Sequence, residues 1–108
     1  EGRNEEALAA FTRAIEAQPD FAEAWNKRAT VNYIMGRFQD SVLDIQKTLS
    51  LEPRHFGALS GLGLINLAMG RDREALKAFE AALRIHPFMP GAKTHIRQLR
   101  DQIHGKGI

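Results

Sequence analysis

Three glycines, Gly57, Gly61 and Gly63, stand in the stretch GALSGLGLINLAMG at the spacing of a glycine turn that cradles a dinucleotide pyrophosphate. Backbone can approach a phosphate closely only where no Cβ intervenes, so the triplet raises cofactor chemistry as a first candidate. Histidines raise a second. His86, His95 and His104 are spaced nine apart, and His55 follows a helix-ending proline at what reads as a solvated turn. No common metal motif requires that interval, and no acid cluster accompanies the rings, so metal binding is not expected. Asp40 and Asp44 lie one helical turn apart, as many surface pairs do. No catalytic base can be matched with a nucleophile and an orienting third group, so there is no positive case for an enzyme.

Composition narrows the field further. The chain has 108 residues, 44% apolar and 26% charged, with a net charge of +2. These values suit one soluble globular domain with little disorder. Lys and Arg are interleaved with acids almost everywhere, whereas a nucleic-acid binder usually gathers them into a patch. The segment KTHIRQLR is basic but has no aromatic partner for stacking bases, so no nucleic acid is expected. Cysteine is absent, which removes disulfides, thiolate zinc sites and thiol nucleophiles. No apolar run approaches the ~20 residues that span a bilayer, so no membrane is expected either. The reading is cytoplasmic by default; a start at Glu1 rather than Met leaves processing or export open.

The elements that position these residues follow a repeat. Gly2, Gly36 and Gly70 are each 34 residues apart, and Pro19, Pro53 and Pro87 keep the same interval. Between glycine and proline one skeleton recurs: GRNEEALAAFTRAIEAQP, GRFQDSVLDIQKTLSLEP and GRDREALKAFEAALRIHP. Ala7, Ser41 and Ala75 align, then Phe11, Ile45 and Phe79, then Ala14, Thr48 and Ala82. Apolar residues within each block fall three or four apart, as in Leu8, Phe11, Ile15 and Leu76, Phe79, Leu83, which predicts one helical stripe. Each proline ends a helix because it cannot continue the backbone ladder, and each glycine suits a tight interhelical turn. The segments between, roughly 22–35 and 56–69, are the partner helices, and the first block reads as a helix from about 4 to 17.

On these residues the chain resembles the tetratricopeptide repeat (TPR) family. Ala22, Trp25, Ala29, Gly36, Phe38, Ser41, Thr48, Leu49 and Pro53 carry the resemblance in one unit. Leu59, Leu62, Gly63, Gly70, Ala75, Phe79, Ala82 and Pro87 carry it in the next. The resemblance implies an all-α solenoid of helical hairpins wound as a right-handed superhelix. The expected organisation is a single domain over 1–108: a half repeat at 1–21, complete repeats at 22–55 and 56–89, a capping helix at 90–104 and a frayed tail at 105–108. It also disposes of the dinucleotide reading. Gly63 falls 34 residues after Ala29, where a small side chain lets helices approach, and no strand precedes Gly57. Gly57 and Gly61 are either tolerated or leave space for a partner. No cofactor is expected.

The resemblance further implies a concave groove lined by the first helix of each hairpin. By register its candidates are Asn26, Thr30, Tyr33 and Ile34, then Ser60, Leu64, Leu67 and Ala68, with Thr94, Gln98 and Asp101 continuing on the last helix. Asn26, Thr30, Tyr33, Ser60 and Leu64 are the expected peptide-binding residues, and the expected function is a noncatalytic scaffold for a protein or peptide partner. Chaperone-binding members of the family hold acidic tails with a clamp of Lys, Asn and Arg. Ser60, Leu64, Thr94 and Gln98 cannot supply it, so tight binding of such tails is not expected.

The two ends differ. Ile96, Leu99 and Ile103, with Ala92, form the apolar stripe of the last helix, whose other face is wet, as a cap requires. Residues 1–21 hold five acids and two bases, while residues 90–108 hold four bases and one acid. The first helix lacks a first-half partner, so its Leu8 and Phe11 are expected to be poorly covered. Self-association or docking through this N-terminal edge is the alternative function. Asn32 and Asn66, 34 apart, and Arg28 depart from the apolar pattern. The asparagines either link adjacent helices or border the groove, and Arg28 either snorkels to water over its apolar stem or pairs with an acid such as Asp44; structural roles are expected for all three.

Overall fold

The computed structural model describes residues 2–88 and 91–107, together with all their side chains except those of Ala92 and Lys106. The helices are α1 (Gly2–Ala17), α2 (Ala22–Ile34), α3 (Phe38–Leu51), α4 (Phe56–Ala68), α5 (Asp72–Ile85) and α6 (Ala92–Gly107). No strand occurs among the described residues. The hairpins α2–α3 and α4–α5 are the most intimate packings; α1 on α2, α3 on α4 and α5 on α6 join them in series. The result is elongated, 48 × 28 × 21 Å.

The turns inside the two hairpins have one geometry. Gly36 and Gly70 adopt φ of +78° and +74°, a conformation that a Cβ would strain. Arg37 N–H donates to the Asn32 carbonyl and Arg71 N–H to the Asn66 carbonyl, each at 2.8 Å. Gly36 and Gly70 N–H groups bond the carbonyls of Tyr33 and Leu67. These are the paired bonds of a glycine C-terminal cap, which satisfy the last carbonyls of α2 and α4. At the other junctions α1, α3 and α5 end two residues before Pro19, Pro53 and Pro87.

Two cores hold the stack together. Ala29, Ile45, Ala58 and Ile65 form one between the hairpins; Ala75, Phe79, Ile96 and Leu99 form the other beneath α6. Close approach within the second hairpin depends on Gly63. A Cβ there would lie 2.7–2.8 Å from the Phe79 ring, so any larger residue must displace it. In the first hairpin Ala29 stands at this place, and its carbonyl accepts the buried Ser41 hydroxyl at 2.6 Å.

Arg28 faces inward rather than merely covering apolar surface. It forms a two-point bond to Asp44, Nε to Oδ2 at 2.9 Å and Nη2 to Oδ1 at 2.8 Å, and donates to Thr12 Oγ1 at 3.2 Å. Hydrogen bonding to Asp44 holds the guanidinium above its ordinary pKa, against the opposing effect of burial. Asn32, also buried, donates to Asp44 Oδ2 at 3.1 Å. One carboxylate on α3 thus gathers two residues of α2, and Arg28 reaches on to α1. Asn66 is buried at the matching place in α4. Trp25 adds a further tie between α2 and the loop after α1, donating from Nε1 to the Pro19 carbonyl at 2.9 Å.

Two expected boundaries need correction. Helix α1 starts at Gly2 rather than near Asn4, and α6 runs to Gly107 rather than ending at 104. Gly105 does not take the positive φ that ends α2 and α4, and a glycine within a helix costs only about 1 kcal/mol. The expected boundary between 89 and 90, the outer ends Glu1 and Ile108, and the Ala92 side chain fall outside the described residues.

Replacing Gly63 with valine is expected to lower unfolding free energy by about 1–3 kcal/mol through overpacking against Phe79. Urea denaturation followed by circular dichroism measures it. An unchanged midpoint would show that the hairpin does not depend on this approach.

Candidate functional site

Helices α2 and α4 are first helices of successive hairpins, and they touch directly along one side of the stack. Between them lies a cavity of about 250 Å³. Asn26, Thr30, Tyr33 and Ile34 of α2 and Gly57, Gly61 and Leu64 of α4 form its walls; Ala29, Ser41, Ile45 and Ile65 close the floor. Among the described residues, no charged side chain lines it. Four of the five residues expected from the register, Asn26, Thr30, Tyr33 and Leu64, are brought together here. Ser60 does not line this cavity.

The rim is apolar and wet at once. Ile34 is 62% exposed and Leu64 38%, both large for aliphatic side chains of a small domain. Tyr33 packs its ring against the first core and sits 5.7 Å from the Phe38 ring, so its position is fixed by packing. Thr30 is exposed, and its hydroxyl donates back to the Asn26 carbonyl at 3.2 Å, which leaves the oxygen's lone pairs as acceptors. Leu67, placed in the groove by register, instead packs against the core beneath α6. Ala68, Thr94, Gln98 and Asp101 are exposed farther along.

The two glycines of unsettled meaning now separate. A Cβ at Gly57 would lie 3.2 Å from the His55 ring and 3.4 Å from the Asn26 amide nitrogen, so that space is already filled. A Cβ at Gly61 would meet only Ile45 Cδ1, at 3.4 Å. The open volume belongs to Gly61.

His55 is not the solvated turn residue that its sequence context suggests. Its Nδ1 accepts from Ala58 N–H at 3.0 Å, capping α4, while Nε2–H donates to Glu23 on α2 at 2.9 Å. The ring therefore ties the start of α4 to α2 at one end of the cavity. No single-residue signal announces this, because the partner is 32 positions away. His86 and His95 lie against Phe56 and Phe79, with ring centroids 5.1 Å apart in each case.

A larger cleft, about 710 Å³, runs between α5 and α6. Its walls carry Glu80, Arg84, Lys93, Arg97, Arg100 and Asp101, charges of both signs, and Arg100 already bonds Glu80 at 2.7 Å. Exposed pairs of this kind are screened by solvent and contribute little. The α2–α4 cavity, which combines fixed apolar walls with a few polar atoms, is the better candidate.

Comparison with known proteins gives a consistent result. The tetratricopeptide repeat family model matches residues 1–47 and 35–90. A TPR repeat-containing protein of Rhizobium etli is 44% identical over 105 residues, which cover 97% of this chain and 52% of that protein. The Hsp70-Hsp90 organizing protein of Triticum aestivum is 32% identical over 93 residues, covering 86% of this chain and 16% of that one. The chain therefore spans about half or less of these curated relatives. Among solved structures, the first TPR of Spaghetti (RPAP3) bound to the HSP90 peptide SRMEEVD superposes with a TM-score of 0.91. It shares 22% identity and covers 95% of this chain and 82% of its own, a likeness of fold.

Gly61→Ala is expected to raise stability by up to about 1 kcal/mol, since alanine is the better helix former and its methyl group has room. Urea denaturation measures the change. A marked loss would mean that the space at Gly61 is needed for folding rather than left open.

Proposed function

The chain belongs to the tetratricopeptide repeat family, and from that premise we propose that it is a noncatalytic scaffold binding a peptide or partner helix along the α2–α4 groove. The observation that carries the reading is the uncharged cavity between Tyr33, Leu64 and Gly61, with exposed Ile34 and Leu64 at its mouth. Removing apolar surface from water drives most protein association, which favours apolar side chains of a partner at this site. Asn26 and Thr30 add an amide and a hydroxyl oxygen within reach of a main chain, the mixture that orients an extended segment.

The solved structure of similar fold holds the acidic peptide SRMEEVD, whose carboxylates the α2–α4 cavity is not built to take. Two carboxylates leaving water need cationic partners, and the cavity walls supply none. Lys27, next to Asn26 in sequence, does not line the cavity and faces Glu23 at 3.7 Å. The groove is suited to an uncharged, apolar segment. A second reading, self-association or docking through the N-terminal edge, is favoured by one observation: Phe11 remains only half-buried on α1.

Two measurements test the groove. In lysate pull-downs, the double substitution Tyr33→Glu, Leu64→Glu should lose a captured protein that the native chain retains, with circular dichroism confirming the fold. Capture that persists would move attention to the α1 edge. Separately, fluorescence anisotropy with labelled SRMEEVD should show no saturable binding at micromolar protein. Saturation there would contradict the assignment of an uncharged ligand.

A further inference from the structure

Two departures from the repeat pattern complement each other. The first follows the helix-ending prolines, where the chain places Asp20, Arg54 and then Phe88. Two of these turns carry a charge. The third carries a phenyl ring that is 85% exposed, more than any other large apolar side chain among the described residues. Its neighbours in sequence, His86, Pro87, Met89 and Pro90, include no acid, lysine or arginine, and the prolines have no N–H to keep hydrated.

The second departure is Gly61. Its register holds Lys27 in α2 and His95 in α6, so the glycine removes a side chain that both sister helices keep. The space left opens above Ile45 into the α2–α4 cavity of about 250 Å³. A cavity of about 150 Å³ is enough to hold benzene. A phenyl ring therefore enters this one with room left for part of the attached main chain.

Charge selects among the turns that could enter. The cavity walls carry no charged side chain, so the carboxylate of Asp20 or the guanidinium of Arg54 would lose water there without a partner. Phe21 is 48% exposed, but the Asp20 carboxylate would travel with it. Phe88 brings a ring between uncharged neighbours. At 85% exposure it sits in no cavity of the chain that carries it, so the groove it fits belongs to another copy.

We propose that the α2–α4 groove of one copy receives Phe88 of a second, the ring seated at Gly61 between Tyr33 and Leu64. The inference rests on the groove reading given above and names an occupant for that site. Knob and socket are different surfaces, so copies join head to tail rather than as a two-fold pair. One aromatic side chain buries about 150–250 Å², and with short flanks the contact stays below the ~1,200 Å² of stable interfaces. The association is therefore weak and reversible, and at high concentration it competes with any other ligand of the groove.

Sedimentation equilibrium of the native chain tests the contact. The weight-average mass is expected to rise at least about 1.5-fold between roughly 10 μM and roughly 1 mM protein, the range in which small interfaces assemble. Phe88→Asp and Gly61→Leu should each remain monomeric. Mixed in equal amounts, the two variants should associate again and stop at a pair, because one keeps the socket and the other keeps the ring. Should Gly61→Leu misfold by circular dichroism, Leu64→Glu takes its place as the blocked groove. A native chain that stays monomeric, association that survives Phe88→Asp, or a mixture that stays monomeric would overturn the proposal. Lysate capture tells this failure from that of the groove itself. Capture still abolished by Tyr33→Glu, Leu64→Glu would reject only the second copy as occupant, whereas capture that persists would remove the groove reading as well.

Discussion

Close approach of paired helices at one small residue is what the architecture depends on. Gly63 leaves room for the Phe79 ring, and Ala29 brings its carbonyl within reach of the Ser41 hydroxyl. With α4 drawn onto α5 and α2 onto α3, the glycine turns need only three residues of linker each, and the second helices carry the stack from one hairpin to the next. The first helices are then left side by side on one face. The groove is a consequence of that order: it exists because α2 and α4 spend one face on their own hairpin partners and cannot close on each other.

The two hairpins solve the same packing problem with different chemistry. In α4 and α5 the facing positions are Leu62 and Ala78, whereas α2 and α3 place Arg28 and Asp44 there. Such a pair must recover the cost of leaving water through geometry and additional hydrogen bonds. Arg28 does so through a two-point bond with Asp44, a third contact to Thr12 and the neighbouring Asn32 amide. That network points toward α3 and α1, so the groove between α2 and α4 retains only neutral walls.

The repeat period made most of the fold legible. Matched glycines, prolines and small residues locate the hairpins, and the same register collects Asn26, Thr30, Tyr33 and Leu64, which line one cavity. Ser60 and Leu67 share the expected helix, yet Ser60 does not line the cavity and Leu67 is drawn into the core beneath α6. The role of His55 was illegible because it arises from a bond to Glu23, a partner on another helix. Gly57 and Gly61 look alike in sequence; only the positions of the Asn26 amide and the His55 ring distinguish a filled space from an open one. Helix α6 continues past the expected end at 104 because Gly105 does not adopt the positive φ seen at Gly36 and Gly70.

The most direct measurement of the central claim is a backbone amide NMR titration of the chain with a purified partner recovered by capture. Binding in the neutral groove predicts shift changes concentrated at residues 26–34 of α2 and 57–64 of α4, on facing sides of one cavity. Changes confined to α1, or to the charged cleft between α5 and α6, would contradict it.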